Sequence, residues 1–159
     1  MKKSIKKELM KLATGELASV FMFWVCYFIW FKEHIIQVSY PLTVLSLILI
    51  QGSLYWFICL RRLENKNITF NSTGKFYFFL KYINLLLILG YIPILIVSKS
   101  IPFKYYFCGI FLILFAIIEF INYFLVRLSY PNIAVLISQI KTKSLRKSKL
   151  AKEIETSRL

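Results

Sequence analysis

The chain has 159 residues, 58% of them hydrophobic and 18% aromatic, with a mean hydropathy of +0.66 and a net charge of +14. A soluble domain of this size must show a polar surface and rarely reaches that average, and the length leaves no room for a separate soluble domain beside the apolar part. Charge and hydrophobicity coexist because they are segregated: 21 Lys and Arg, seven Glu and no Asp lie mostly in short segments between long apolar runs, the pattern of a polytopic membrane protein.

The first apolar run is Leu12 to Phe31, LATGELASVFMFWVCYFIWF, preceded by Lys2, Lys3, Lys6, Lys7 and Lys11. It reads as a span and not as a cleaved signal peptide, because no A-x-A-like site is present and its far end, CYFIWFKEH, is bulky. After a short connection with Lys32, Glu33 and His34, the second run covers about 37–60 and ends LILIQGSLYWFICL. A polar loop rich in Asn, Ser, Thr and Gly follows. The third run, 76–97, reads FYFFLKYINLLLILGYIPILIV, and its Gly90 and Pro93 predict a kink. The fourth run covers 103–126 after the short connection from Ser98 to Pro102. Each run has roughly 20 residues or more, enough to cross about 30 Å of hydrocarbon at 1.5 Å per residue.

These runs predict an all-α fold: a transmembrane domain over 1–130 with four helices in an up-down bundle, and a basic, helical cytoplasmic tail over 131–159. Basic residues set the orientation. Seventeen lie on the side of the N-terminus, the second connection and the C-terminal segment, against Lys32, Lys99 and Lys104 on the other, which places both termini in the cytoplasm. The Asn67-Ile-Thr and Asn71-Ser-Thr glycosylation patterns then fall on the cytoplasmic side and read as loop. The richness in Lys, Ile, Phe and Tyr points to an AT-rich bacterial genome, hence a bacterial plasma membrane. Trp24, Tyr27 and Trp30, Tyr55 and Trp56, and Tyr105 and Tyr106 read as interfacial belts. Cys26, Cys59 and Cys108 sit in three different runs and read as buried free thiols.

Ionisable residues within spans are rare and costly. Glu119 lies eight residues before Arg127 and Lys81 six residues after Lys75, so both are expected at matching depth, roughly 9–12 Å in from the basic side. The short connection between spans three and four suggests antiparallel neighbours. Tyr77, Lys81 and Asn84 share one helical face, as do Glu119, Asn122, Tyr123 and Arg127. A buried Lys81–Glu119 ion pair is therefore expected, flanked by Asn84, Asn122 and Tyr123, with Gln51 and Glu16 as further members of an intramembrane polar cluster. Such a pair either fastens two helices or forms a proton- or ion-responsive site.

Pro131 disfavours helix at Tyr130, so the chain should turn there. Ile133, Leu136, Ile137 and Ile140 then make an apolar stripe, and Lys141, Lys143, Arg146, Lys147, Lys149 and Lys152 form a basic cluster expected to bind anionic lipid. No aromatic residues interleave these charges, so no nucleic-acid partner is expected.

Two stretches, IQGSLYWFICLRRL at 50–63 and EFINYFLVRLSYP at 119–131, resemble a group of small four-span membrane proteins of low-GC Gram-positive bacteria. The resemblance covers most of the chain and implies the four-span architecture without an activity. Small multidrug-resistance transporters also have four spans and an intramembrane Glu, but theirs sits in the middle of the first span, whereas Glu16 is near the membrane edge. With no Asp, no His cluster, no Ser/His arrangement and no HExxH, the chain is not expected to be an enzyme or to need a metal or cofactor. Three classes remain. The chain is read first as a non-catalytic accessory or interaction subunit of a membrane complex, with a membrane-protein partner or a second copy. The others are a small ion- or proton-coupled transporter using Glu119 and an immunity- or stress-type membrane protein.

Overall fold

A computed structural model describes residues 2–31, 35–64, 70–97, 102–128, 139 and 146–157. The described chain is helical: α1 Lys2–Trp30, α2 Ile36–Glu64, α3 Phe70–Leu89, α4 Tyr91–Val97, α5 Phe103–Phe124 and α6 Lys149–Thr156. Four segments are long and apolar enough to cross a membrane, Lys3–Trp30, Ile36–Leu63, Ser72–Val97 and Phe103–Phe124, as a multi-pass membrane protein requires. The first starts about ten residues before the expected span, because the Lys, Glu, Leu and Met of the N-terminal segment are good helix formers and prolong α1. The Asn67 acceptor site, the Asn71 side chain, the turn at Tyr130 and Pro131, and the stripe at Ile133, Leu136, Ile137 and Ile140 lie outside the described residues.

The hub is α2. Val38, Leu42, Leu45, Ile48 and Leu49 are almost fully buried, because α1 packs along one side of this helix and α5 along another. In lipid, helix association rests on close packing and polar contacts, since hydrocarbon is as apolar as Leu. Accordingly α1 and α3 leave long apolar faces open, including Phe21, Met22, Phe28 and Trp30 on one and Phe76, Phe79 and Leu86 on the other. Contacts between α3 and α5 are few, and the main neighbour of α3 is the terminal helix α6.

The expected kink in the third span is a break at Gly90 between α3 and α4. It is joined to a second irregularity, Pro41 inside α2. A proline inside a helix lacks the N–H that would bond the carbonyl four residues back, here that of Gln37. The buried Tyr91 hydroxyl donates to that Gln37 carbonyl at 2.8 Å. In the other direction, the Tyr40 hydroxyl donates at 2.9 Å to the Leu87 carbonyl in the last turn of α3. The two rings stack at 6.2 Å. Gly109 of α5 clears the space, since a side chain there would run into the Gln37 carbonyl and the Tyr91 hydroxyl.

Each helix therefore satisfies a carbonyl in the other. Tyr91→Phe should cost about 1 kcal/mol, in line with buried hydrogen bonds in membranes. In a Pro41→Ala background the new N–H can bond the Gln37 carbonyl, so the same substitution should cost less. Equilibrium unfolding of the four variants in bicelles tests this, and strictly additive effects would refute it.

The end of the chain returns to the bundle. After α5, the Arg127 N–H donates to the Arg146 carbonyl and the Ser148 N–H to the Leu125 carbonyl, with a single antiparallel bridge between Val126 and Lys147. Ser148 caps α6 by accepting from the Ala151 N–H at 2.9 Å, and its hydroxyl also donates to the Tyr123 carbonyl. Leu150, Glu153, Ile154 and Ser157, at i, i+3, i+4 and i+7, form the buried face of α6. The basic tail is thus not wholly free of the bundle at this helix. One face of α6 docks on the bundle, and Lys149 and Lys152 remain exposed.

Candidate functional site: polar layers at the basic end of the bundle

Three polar layers stack where α1, α2, α3, α5 and α6 meet. The first is built on Glu16 of α1. Trp56 Nε1 of α2 donates to Glu16 Oε1 at 2.9 Å, and the Tyr123 hydroxyl of α5 donates to the same oxygen. Gly52, one turn before Trp56, makes room for this crossing. A Cβ on it would stand 2.5 Å from Tyr123 Cζ and 2.7 Å from Glu16 Oε2. Beside it the Ser53 hydroxyl donates to the Ala13 carbonyl at 2.8 Å, tying α2 to α1. Glu16 Oε2 is buried and has no hydrogen-bond partner.

The second layer joins α2 to α3. Gln51 and Asn84 exchange side-chain hydrogen bonds, Gln51 Nε2 to Asn84 Oδ1 at 3.1 Å and Asn84 Nδ2 to Gln51 Oε1 at 2.6 Å. The Tyr77 hydroxyl donates to the Gln51 carbonyl at 2.8 Å. Tyr77 and Asn84 thus share a face of α3, as their spacing predicts. Lys81 does not join them. It lines a pocket beside α6, with Phe124, Lys147, Ile154 and Glu155.

Among the described residues no ion pair joins Lys81 to Glu119. Glu119 Oε2 instead accepts from Asn122 Nδ2 on its own helix, at a long 3.4 Å, and Asn122 Oδ1 accepts from the Leu128 N–H at 3.0 Å as the chain leaves α5. The reason is the order of neighbours. Helix α5 packs along α2 rather than along α3, so a short connection does not bring the polar faces of α3 and α5 together. Of the expected cluster, Gln51 meets Asn84, Glu16 meets Tyr123, and Glu119 meets Asn122.

The third layer was not expected. Arg62 Nη2, near the end of α2, pairs with Glu153 Oε1 of α6 at 2.7 Å, and the two side chains are 9% and 4% exposed. The Tyr55 hydroxyl donates to Glu153 Oε2 at 3.1 Å, and Arg62 also donates to Thr73 Oγ1 of α3 at 2.7 Å. Gly74 lets α6 approach, since a Cβ there would lie 2.5 Å from Ser157 Oγ and 2.7 Å from the Glu153 carbonyl oxygen. The signal was present as a Leu150/Glu153/Ile154/Ser157 face matched to a basic pair at 61–62. Tyr55 and Trp56, read as belt residues, turn polar atoms into the protein, as does Trp24, which donates to Ser46 Oγ at 3.0 Å.

Of the basic cluster, Arg146, Lys147, Lys149 and Lys152 are exposed, and Lys141 and Lys143 lie outside the described residues. Lys147 Nζ pairs with Glu155 Oε2 at 2.7 Å on the surface and holds the Glu155 carboxyl below its ordinary range. The arrangement can fasten four helices and a terminal helix through polar contacts, and it leaves Glu16 Oε2 without a hydrogen-bond partner inside the bundle. No protein-family model, no curated protein and no solved structure matches the chain.

Proposed function

We propose that the chain is a small, non-catalytic, multi-pass protein of the bacterial plasma membrane that serves as an accessory or interaction subunit of a membrane complex. In this reading the bundle runs up and down with both termini in the cytoplasm, as the distribution of basic residues favours, and the exposed lysines of the terminal segment face anionic lipid. One observation carries it. Gln51 and Asn84 satisfy one another and Glu16 Oε1 is engaged by both Trp56 and Tyr123, so these polar side chains fasten helices together instead of converging on open space as a substrate site requires. Meanwhile α1 and α3 present broad apolar faces that a partner's helices can cover as well as lipid can. Affinity purification of the tagged protein from its native membrane in a mild detergent should bring down a stoichiometric membrane partner. Recovery of the chain alone would overturn this reading.

A second reading, a small proton- or ion-coupled transporter, is favoured by the unpartnered Glu16 Oε2. It moves the coupling carboxylate from Glu119 to Glu16, which lies where α1, α2 and α5 meet. Flux into reconstituted vesicles that is lost in Glu16→Gln and retained in Glu119→Gln would support it. Vesicles without flux would remove it.

A further inference from the structure

The side chain left over from the polar layers is Lys81. An ammonium within the inner part of a span is costly unless an anion accompanies it. Among the described residues no ion pair reaches Lys81. It lines instead a pocket of about 350 Å³ between α3, the end of α5 and α6. The pocket contains a second cation, Lys147, one carboxylate, Glu155, and apolar walls that include Phe124, Leu125 and Ile154. Lys147 and Glu155 pair with each other at 2.7 Å, so they neutralise one another and leave the Lys81 charge unanswered. The volume is too large for Lys81 to be sealed by packing, and too apolar for a free, fully hydrated ion. A group that is anionic at one end and hydrocarbon at the other fits both features.

We propose that this pocket binds the phosphate headgroup of an anionic phospholipid, held by Lys81, while the acyl part lies along Phe124 and Leu125. The inference rests on the membrane reading above and adds a discrete site to the general attraction of the basic segment for anionic lipid. Lys81 sits six residues beyond Lys75, roughly 9 Å along the helix, so its four-carbon stem can lift the ammonium toward headgroup level. Glu155 opposes the ligand by charge and tunes its affinity. The shared chemistry is a phosphate ester, and the walls favour the lipid source over a soluble one.

Native mass spectrometry of the full chain in a mild detergent, titrated with phosphatidylglycerol or phosphatidylcholine, tests this. The wild type should retain phosphatidylglycerol preferentially. Lys81→Met should weaken that binding about fivefold, the scale of one basic charge near a membrane surface. Lys81→Arg should keep it, which guards against a folding defect. Glu155→Gln should strengthen it, an effect that a merely structural role of Lys81 would not produce. Lys152→Ala, exposed and outside the pocket, serves as the control for general attraction. Equal losses in Lys81→Met and Lys152→Ala would overturn the discrete site while leaving the general lipid reading intact. No preference for phosphatidylglycerol in the wild type would overturn both. Displacement of the lipid by millimolar glycerol 3-phosphate would assign the site to a soluble phosphate ester and overturn the lipid source.

Discussion

Glu153→Ala should weaken the docking of α6 by about 3 kcal/mol, or roughly a hundredfold in amide-exchange protection over 149–156. Glu153 and Arg62 are 4% and 9% exposed at their side chains and meet at 2.7 Å, so removing the carboxylate leaves a guanidinium with little water to replace it. The Tyr55 hydroxyl loses its acceptor at the same time. The protein has one inexpensive escape, which is to let α6 leave the bundle and hydrate Arg62. The damage should therefore appear as local exposure of α6 rather than as global unfolding. Arg62→Met should act in the same direction. A Met at both positions should recover part of the loss, because an apolar pair needs no compensating charge. Hydrogen exchange followed by mass spectrometry in bicelles reads all three variants. Unchanged protection of 149–156 in Glu153→Ala would mean that Leu150 and Ile154 alone hold the helix.

The four apolar segments could be read from the sequence because hydrophobicity over roughly 20 residues is a strong signal with one main physical cause, the thickness of hydrocarbon. The break in the third span was readable for a similar reason, since Gly90 and Pro93 act on the local backbone. The face shared by Tyr77 and Asn84 followed from helical periodicity alone. These features depend on a residue and its near neighbours in the chain.

What could not be read depends on which helices touch. A Lys and a Glu at matching depth suggest a pair only if their helices adjoin, and the length of a connection does not decide that. Glu16, placed near the edge of its span, gained its importance from Gly52 and Trp56 on α2 and Tyr123 on α5, three residues that only the packing brings together. The eight residues of α6 carry too short an apolar pattern to stand out beside a run of lysines. Their buried face became clear only against Arg62 and Gly74. Tyr91 and Pro41 show the same limit. Each has an ordinary membrane reading by itself, and their joint role appears when one helix supplies the donor that the other lacks.

Gly52→Ala is the most direct probe of that packing. A methyl group at this position would stand 2.5 Å from Tyr123 Cζ and 2.7 Å from Glu16 Oε2, closer than side-chain carbons approach in ordinary structures. The Tyr123 ring tip cannot yield freely, because its hydroxyl is committed to Glu16 and its backbone carbonyl accepts from Ser148. Overpacking of this kind costs about 2 kcal/mol, against a gain of up to about 1 kcal/mol from the better helix propensity of Ala. Gly15→Ala provides the comparison, since nothing lies within 4 Å of a Cβ there and only the propensity gain remains. Gly52→Ala should therefore be less stable than Gly15→Ala by about 2 kcal/mol in an unfolding titration in bicelles. In a Tyr123→Ala background the ring is gone and only the end of the flexible Glu16 side chain stands in the way, so the difference between the two glycine variants should shrink. If Gly52→Ala proves as stable as Gly15→Ala, then α1, α2 and α5 do not meet through Gly52, and the Glu16 layer is not a fastening point of the bundle.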